Sequence, residues 1–124
     1  MLLPYIEYKE DTSNPEYYVK NAFSKEAANT IKEDLIQVIE DEEGTGHVAK
    51  IKDVTLAGKT GTAEIKKTQD DEEGTEIGWF NAFVADENSE KQILIVTMCE
   101  DVHEKTPKGY VTSNVKAILQ KILK

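Results

Sequence analysis

The chain has 124 residues, 39% hydrophobic and 31% charged, the balance of one folded domain rather than of a disordered segment. Asp and Glu number 24 against 15 Lys and Arg, and the net charge of -9 argues against nucleic acid and anionic membrane surfaces as partners. The one cysteine, Cys99, rules out an intrachain disulfide and a multi-cysteine zinc site, and no apolar run approaches the ~18 residues that span a membrane.

Residues 1–23 carry Pro4, Asn14, Pro15 and several tyrosines with weak periodicity, which predicts an extended, turn-rich lead-in. Met1-Leu2-Leu3-Pro4-Tyr5 has neither a basic lead nor a long apolar stretch and is not expected to be a signal peptide. Ser24 suits a helix N-cap, with Glu26 in the positive first turn. Ala28, Ile31, Leu35, Val38 and Ile39 then form one helical face. The helix should fade in Glu40-Asp41-Glu42-Glu43, where acid opposes the helix dipole, and stop at Gly44 and Gly46.

Strands are expected over Val54–Lys66, Ile77–Ala85 and Gln92–Cys99. The second has Ile77, Trp79 and Phe83 on one parity and Phe80, Ala82 and Val84 on the other, so it is expected to be central and covered on both faces. The third, with Ile93-Leu94-Ile95-Val96, is apolar on both faces too. Short polar connections at 67–75 and 86–91 suit antiparallel hairpins. After a charged loop at 101–109, Val111, Val115, Ile118, Leu119 and Ile122 fall at helical spacing and predict an amphipathic helix on the sheet. The expected fold class is α+β, a three-stranded antiparallel sheet with flanking helices.

Asp41-Glu42-Glu43-Gly44-Thr45 recurs at 71–75, but the flanks differ and the carboxylates do not alternate as in a calcium loop, so both read as solvated surface loops. His47 and His103 have no partner at metal-ligand spacing and read as surface histidines. Cys99 reads as a buried small hydrophobe. Trp79 reads as core or cleft wall. No metal and no cofactor are expected.

The strongest local signal is Ala57-Gly58-Lys59-Thr60-Gly61-Thr62-Ala63-Glu64. Glycines and small residues weaken a strand, which suggests close approach to its backbone. Lys59 sets a cation beside that bare backbone. Thr60 and Thr62 share parity, so their hydroxyls share a face, and on an edge strand the Thr62 N–H is free to pair. An extended ligand with a carboxylate would suit this edge, its backbone pairing with the strand and its charge meeting Lys59 and Thr62. A phosphate loop does not fit, because Asp53 stands where that motif needs glycine and the residues after Lys59 read as strand.

Gly58-Lys59-Thr60-Gly61-Thr62-Ala63-Glu64, an acidic hairpin, Gly78-Trp79-Phe80, an apolar strand and a terminal helix resemble the C-terminal end of class B penicillin-binding proteins. The lead-in helix with Gly44-Thr45-Gly46 is similar to the segment before that motif, and the Ala63-Glu64 continuation looks most like the Gram-positive enzymes. The resemblance covers nearly the whole chain. It implies a partial β-lactamase/transpeptidase-like fold, with residues 1–124 as one C-terminal subdomain of a D,D-transpeptidase. The parent would cross-link peptidoglycan outside the membrane that anchors it, and would bind β-lactams as mimics of the stem peptide. It implies that Lys59 sets the field for the ligand carboxylate and bonds the serine of a middle Ser-x-Asn motif. Thr62 would meet the carboxylate through its hydroxyl and complete the oxyanion hole through its N–H. Gly61 would let the acyl group lie against the strand, and Thr60, Ala63 and Glu64 would complete the substrate-binding edge.

The chain departs from the family where the nucleophile belongs. No Ser-x-x-Lys precedes Lys59: Ser13 leads to Glu16 and Ser24 to Ala27. Ser113-Asn114-Val115-Lys116 has the spacing but follows the motif, in the wrong order, and Thr12-Ser13-Asn14 meets only a loosened middle motif. The chain alone is therefore expected to be a soluble piece without activity, and its unpaired third strand is expected to favour self-association. A β-lactam sensor domain and a non-catalytic module for a peptide carboxylate are the alternatives.

Overall fold

The computed structural model describes residues 16–66, 68, 70, 74–102 and 107–124. The turn-rich reading of residues 1–15, the second acidic copy at 71–73 and His103 lie outside them. Residues 1–31 and 32–124 form separate compact units. Helix α1 (Lys25–Glu40) starts in the first and ends in the second, and Ser24 caps it as expected: its Oγ accepts from the Ala27 N–H at 3.1 Å and its carbonyl from the Ala28 N–H at 3.1 Å.

The second unit holds the sheet. Strands β1 (Leu56–Ile65), β2 (Thr75–Val84) and β3 (Leu94–Cys99) lie in the order β1-β2-β3, both pairs antiparallel. Helix α2 (Tyr110–Ile122) packs on β2 and β3 and on a short 3-10 turn at His47–Ala49. The core gathers Ile39, Ala49, Leu56, Phe80, Ala82, Val84, Val115 and Leu119 between the end of α1, this turn, one face of the sheet and α2. Phe80, Ile39, Leu56, Leu119 and Val115 are its largest fully buried side chains, each stabilising the fold by about 1.5–3 kcal/mol.

The alternation along β2 settles which face is covered. Gly78, Phe80, Ala82 and Val84 are buried, while Trp79 and Asn81 are exposed. The expectation of a strand covered twice is thus corrected. β2 is central, but among the described residues only one of its faces meets another layer. β3 follows the same rule: Leu94, Val96 and Met98 are 66%, 62% and 48% exposed. Register places Trp79 opposite Met98, Asn81 opposite Val96 and Phe83 opposite Leu94, so these side chains share the open face.

Smaller expectations also shift. Val54 precedes β1 in an isolated bridge with Ile51, and Gln92 and Ile93 precede β3, although the Ile93 carbonyl still accepts from the Val84 N–H at 3.0 Å. On α2 the buried stripe is Thr112, Val115 and Leu119, whereas Ile118 and Ile122 stay 44% exposed, because the helix leans on the sheet along one narrow line. Buried Thr112 donates to the Gly109 carbonyl at 2.8 Å, so its hydroxyl is satisfied. Cys99 is half-buried at the end of β3 rather than fully enclosed. The 86–91 connection is the expected polar turn, with Asp86 Oδ1 accepting from the Asn88 N–H at 2.9 Å.

Candidate functional site

β1 is an edge strand, and its hydrogen-bond phase follows from one contact. The Ala85 N–H donates to the Thr55 carbonyl at 2.9 Å, in the register that continues through Leu56 opposite Val84. Antiparallel pairs alternate between bonded and non-bonded. Residues 57, 59, 61 and 63 therefore turn their N–H and C=O groups toward β2. Residues 58, 60, 62 and 64 turn theirs away, so the Thr60 carbonyl and the Thr62 N–H project from the open edge.

Side-chain parity adds the second axis. Thr60 lies opposite Phe80 and Thr62 opposite Gly78, on the face that carries α2. There, Thr60 and Thr62 line a cleft of about 210 Å³ together with Thr45 and Tyr110. Lys59, Gly61 and Ala63 belong to the other face, opposite Asn81, Trp79 and Ile77. The Lys59 side chain nevertheless curls to the edge, where Nζ donates to the Thr60 carbonyl at 2.6 Å. The cation, the Thr60 carbonyl and the Thr62 N–H thus sit on one border of the sheet. Glu64 is exposed and pairs with Lys66 at 2.8 Å.

The two glycines of the motif differ in kind. A Cβ on Gly58 would fall 2.8 Å from the Asn81 carbonyl oxygen and 3.0 Å from Ile39 Cδ1, so packing requires glycine there. Among the described residues, a Cβ on Gly61 would meet only Trp79 Cβ, at an ordinary 3.5 Å, and the Gly61 φ is not positive. Neither packing among the described residues nor backbone strain explains the bare backbone at Gly61.

The residues before β1 supply a partner that the motif alone does not name. Thr45 Oγ1 lies 2.8 Å from Thr60 Oγ1. The glycine before Thr45 is required, since a Cβ on Gly44 would strike the Val38 carbonyl oxygen, while a Cβ on Gly46 would fit tightly, 3.2 Å from it. The Gly46 N–H donates to that same carbonyl at 2.9 Å, and His47 Nδ1 lies 3.1 Å from the Ile39 carbonyl oxygen. His47 is thus half-buried and fastens this loop to the end of α1, a correction to its reading as a surface residue. The signal in the sequence was a lone hydroxyl between two glycines at a helix end.

Ser113 lies inside α2 and its Oγ donates to the Tyr110 carbonyl at 2.9 Å, an intrahelical bond away from β1. Lys59 stands within a strand rather than at a helix start, which removes the phosphate-loop geometry. Among the described residues no His, Cys, Asp and Glu side chains cluster to hold a metal ion, and no helix is long and apolar enough to cross a membrane.

The family described as the penicillin binding protein transpeptidase domain matches residues 1–124. The chain belongs to this family. It is 37% identical over 112 residues to penicillin-binding protein 3 of Bacillus subtilis, a match covering 90% of the chain and 16% of that protein. It resembles the D,D-transpeptidase domain of a peptidoglycan glycosyltransferase from Eggerthella lenta, with a TM-score of 0.58 and 27% identity over 85% of the chain and 22% of the other. A solved structure from Atopobium parvulum gives a TM-score of 0.60 and 25% identity, over 86% of the chain and 26% of that structure. The chain therefore spans about a sixth of its curated relative and about a quarter of these solved chains. It is a fragment of a penicillin-binding protein transpeptidase domain, and its α+β sheet is a part of that fold.

Proposed function

We propose that these residues are the C-terminal subdomain of a D,D-transpeptidase that cross-links peptidoglycan, and that the open edge of β1 is the wall along which the stem peptide or a β-lactam lies. The observation that carries this reading is the edge itself: the Thr60 carbonyl and the Thr62 N–H point off the sheet, with the Lys59 ammonium beside them. An extended acyl-peptide laid there adds as a further strand. Its reacting carbonyl oxygen reaches the Thr62 N–H, which stabilises the developing oxyanion. Its terminal carboxylate accepts from the Thr60 and Thr62 hydroxyls and lies in the field of Lys59. Gly61 keeps side-chain bulk out of the acyl group's path. Ala63 and Glu64 continue the edge, with Glu64 held by Lys66.

The nucleophilic serine and its lysine come from sequence outside these residues, since no Ser-x-x-Lys precedes Lys59. The fragment alone neither hydrolyses nor is acylated by β-lactams. The exposed Leu94, Val96 and Met98 mark a face and an edge that the parent domain covers, and that self-association covers in the isolated fragment. The parent works outside the cytoplasmic membrane, where its substrate lies.

The test is Lys59→Ala in the full-length transpeptidase. A bond from a charged donor contributes about 1.5–3 kcal/mol, so acylation by penicillin should slow by about ten- to hundredfold. An unchanged rate removes the reading. A D-Ala-D-Ala peptide that saturates the isolated 124-residue chain would favour the free-standing binding module instead.

A further inference from the structure

We propose that Thr45 is a positioning residue for the Thr60 hydroxyl, and that it tunes recognition of the ligand carboxylate at the β1 edge. This inference rests on the reading above and adds a residue that lies outside the Lys59–Glu64 strand. It stands on three observations.

The first is the contact of 2.8 Å between the two hydroxyl oxygens, both of which line the cleft that also holds Thr62. The second is direction. A carboxylate only accepts, so a Thr60 hydroxyl that serves it must spend its one proton on the ligand. The 2.8 Å contact then has a single sense: the Thr45 O–H donates, and Thr60 Oγ1 accepts through a lone pair. That chain fixes the Thr60 hydroxyl rotor with its proton toward the cleft and polarises it toward the anion.

The third is that the loop carrying Thr45 is built rigidly. The His47 N–H and the Ala49 N–H close tight turns to the Gly44 and Gly46 carbonyls at 3.0 and 2.8 Å, and the Gly46 N–H ties the loop to the Val38 carbonyl of α1 at 2.9 Å. No side chain fits at Gly44, where a Cβ would strike the Val38 carbonyl. Thr45 itself is exposed, so its hydroxyl is not there to fill the core. A positioning residue needs this combination: a fixed backbone, a free face and a short bond to the group it orients.

The test uses the full-length transpeptidase with Thr45→Val, which keeps the shape and removes the hydroxyl, and Thr45→Ser, which restores it. The readout is the ratio of second-order acylation rates for a penicillin and for its methyl ester, which lacks the charged carboxylate. Thr45→Val should lower the acid-to-ester ratio about fivefold, the worth of one neutral hydrogen bond, and Thr45→Ser should return it to the wild-type value. A purely structural role would slow both substrates alike and leave the ratio unmoved, which would overturn the inference. If Lys59→Ala slows acylation while Thr45→Val leaves the ratio unmoved, this inference alone falls. If neither variant has an effect, the reading of the site falls and this inference with it.

Discussion

Gly58→Ala and Gly61→Ala, three residues apart on one strand, should move stability in opposite directions. At Gly58 the new methyl would sit 2.8 Å from the Asn81 carbonyl oxygen, 3.0 Å from Ile39 Cδ1 and 3.2 Å from Phe80 Cε2. The first of these is backbone and the other two belong to fully buried side chains, so none yields freely. Overpacking of this kind costs about 1–3 kcal/mol. At Gly61 the methyl meets Trp79 Cβ at 3.5 Å, and the residue is exposed with no positive φ. Removing the glycine there lowers the entropy of the unfolded chain and should stabilise the fold by about 0.4–1 kcal/mol. The two variants should therefore differ by about 1.5–4 kcal/mol, about half a molar unit or more in urea midpoint. Equilibrium urea unfolding of the 124-residue chain reads this directly. In the full-length transpeptidase, Gly61→Ala should slow penicillin acylation by about ten- to hundredfold while the fold gains stability, because the methyl intrudes on the ligand's path with an overpacking penalty of similar size. Equal loss of stability in both variants would refute the reasoning, since Gly61 would then be required by packing. So would a Gly61→Ala enzyme acylated at the wild-type rate.

Incubating the isolated chain with penicillin should leave its intact mass unchanged, and a covalent adduct would contradict the argument that the nucleophile lies elsewhere. Sedimentation of the isolated chain should reveal dimers or larger species, and Val96→Lys should shift them toward monomer by placing a charge on the open β3 edge. A wild-type chain that is strictly monomeric at high concentration would count against that edge. Phe80→Ala removes the largest fully buried side chain and should cost about 3–5 kcal/mol, a large share of the stability of an ordinary domain, seen as a strongly lowered melting point by circular dichroism. A folded variant with a near-native melting point would contradict the placement of Phe80 at the centre of the core.

The element order was legible because periodicity and turn chemistry report on local structure, whereas the edge position of β1 was implied by the resemblance. Thr60 and Thr62 sharing a face followed from strand parity alone. The covered face of the sheet was not legible. Apolar residues on both parities of β2 and β3 predict two covering layers, and only the layer holding α2 and the end of α1 occurs among the described residues. Trp79, Leu94, Val96 and Met98 carry the pattern of a sheet with a second neighbour. Nor could parity place the Lys59 ammonium. Its Cβ belongs to the face away from Thr62, yet the long side chain reaches the Thr60 carbonyl at the edge. The Thr45 contact escaped notice for a different reason: it joins residues fifteen apart through a loop whose path depends on Gly44 and Gly46 wrapping the end of α1.

The central claim is that the open edge of β1 is the wall of an acyl-transfer site. A crystal structure of the full-length transpeptidase acylated by a penicillin tests it most directly. The acyl carbonyl oxygen should lie about 2.7–3.1 Å from the Thr62 nitrogen, the distance of an oxyanion-hole donor, with the carboxylate on the Thr60 and Thr62 hydroxyls. An acyl group lying away from β1, with the Thr62 N–H turned to solvent, would contradict the account.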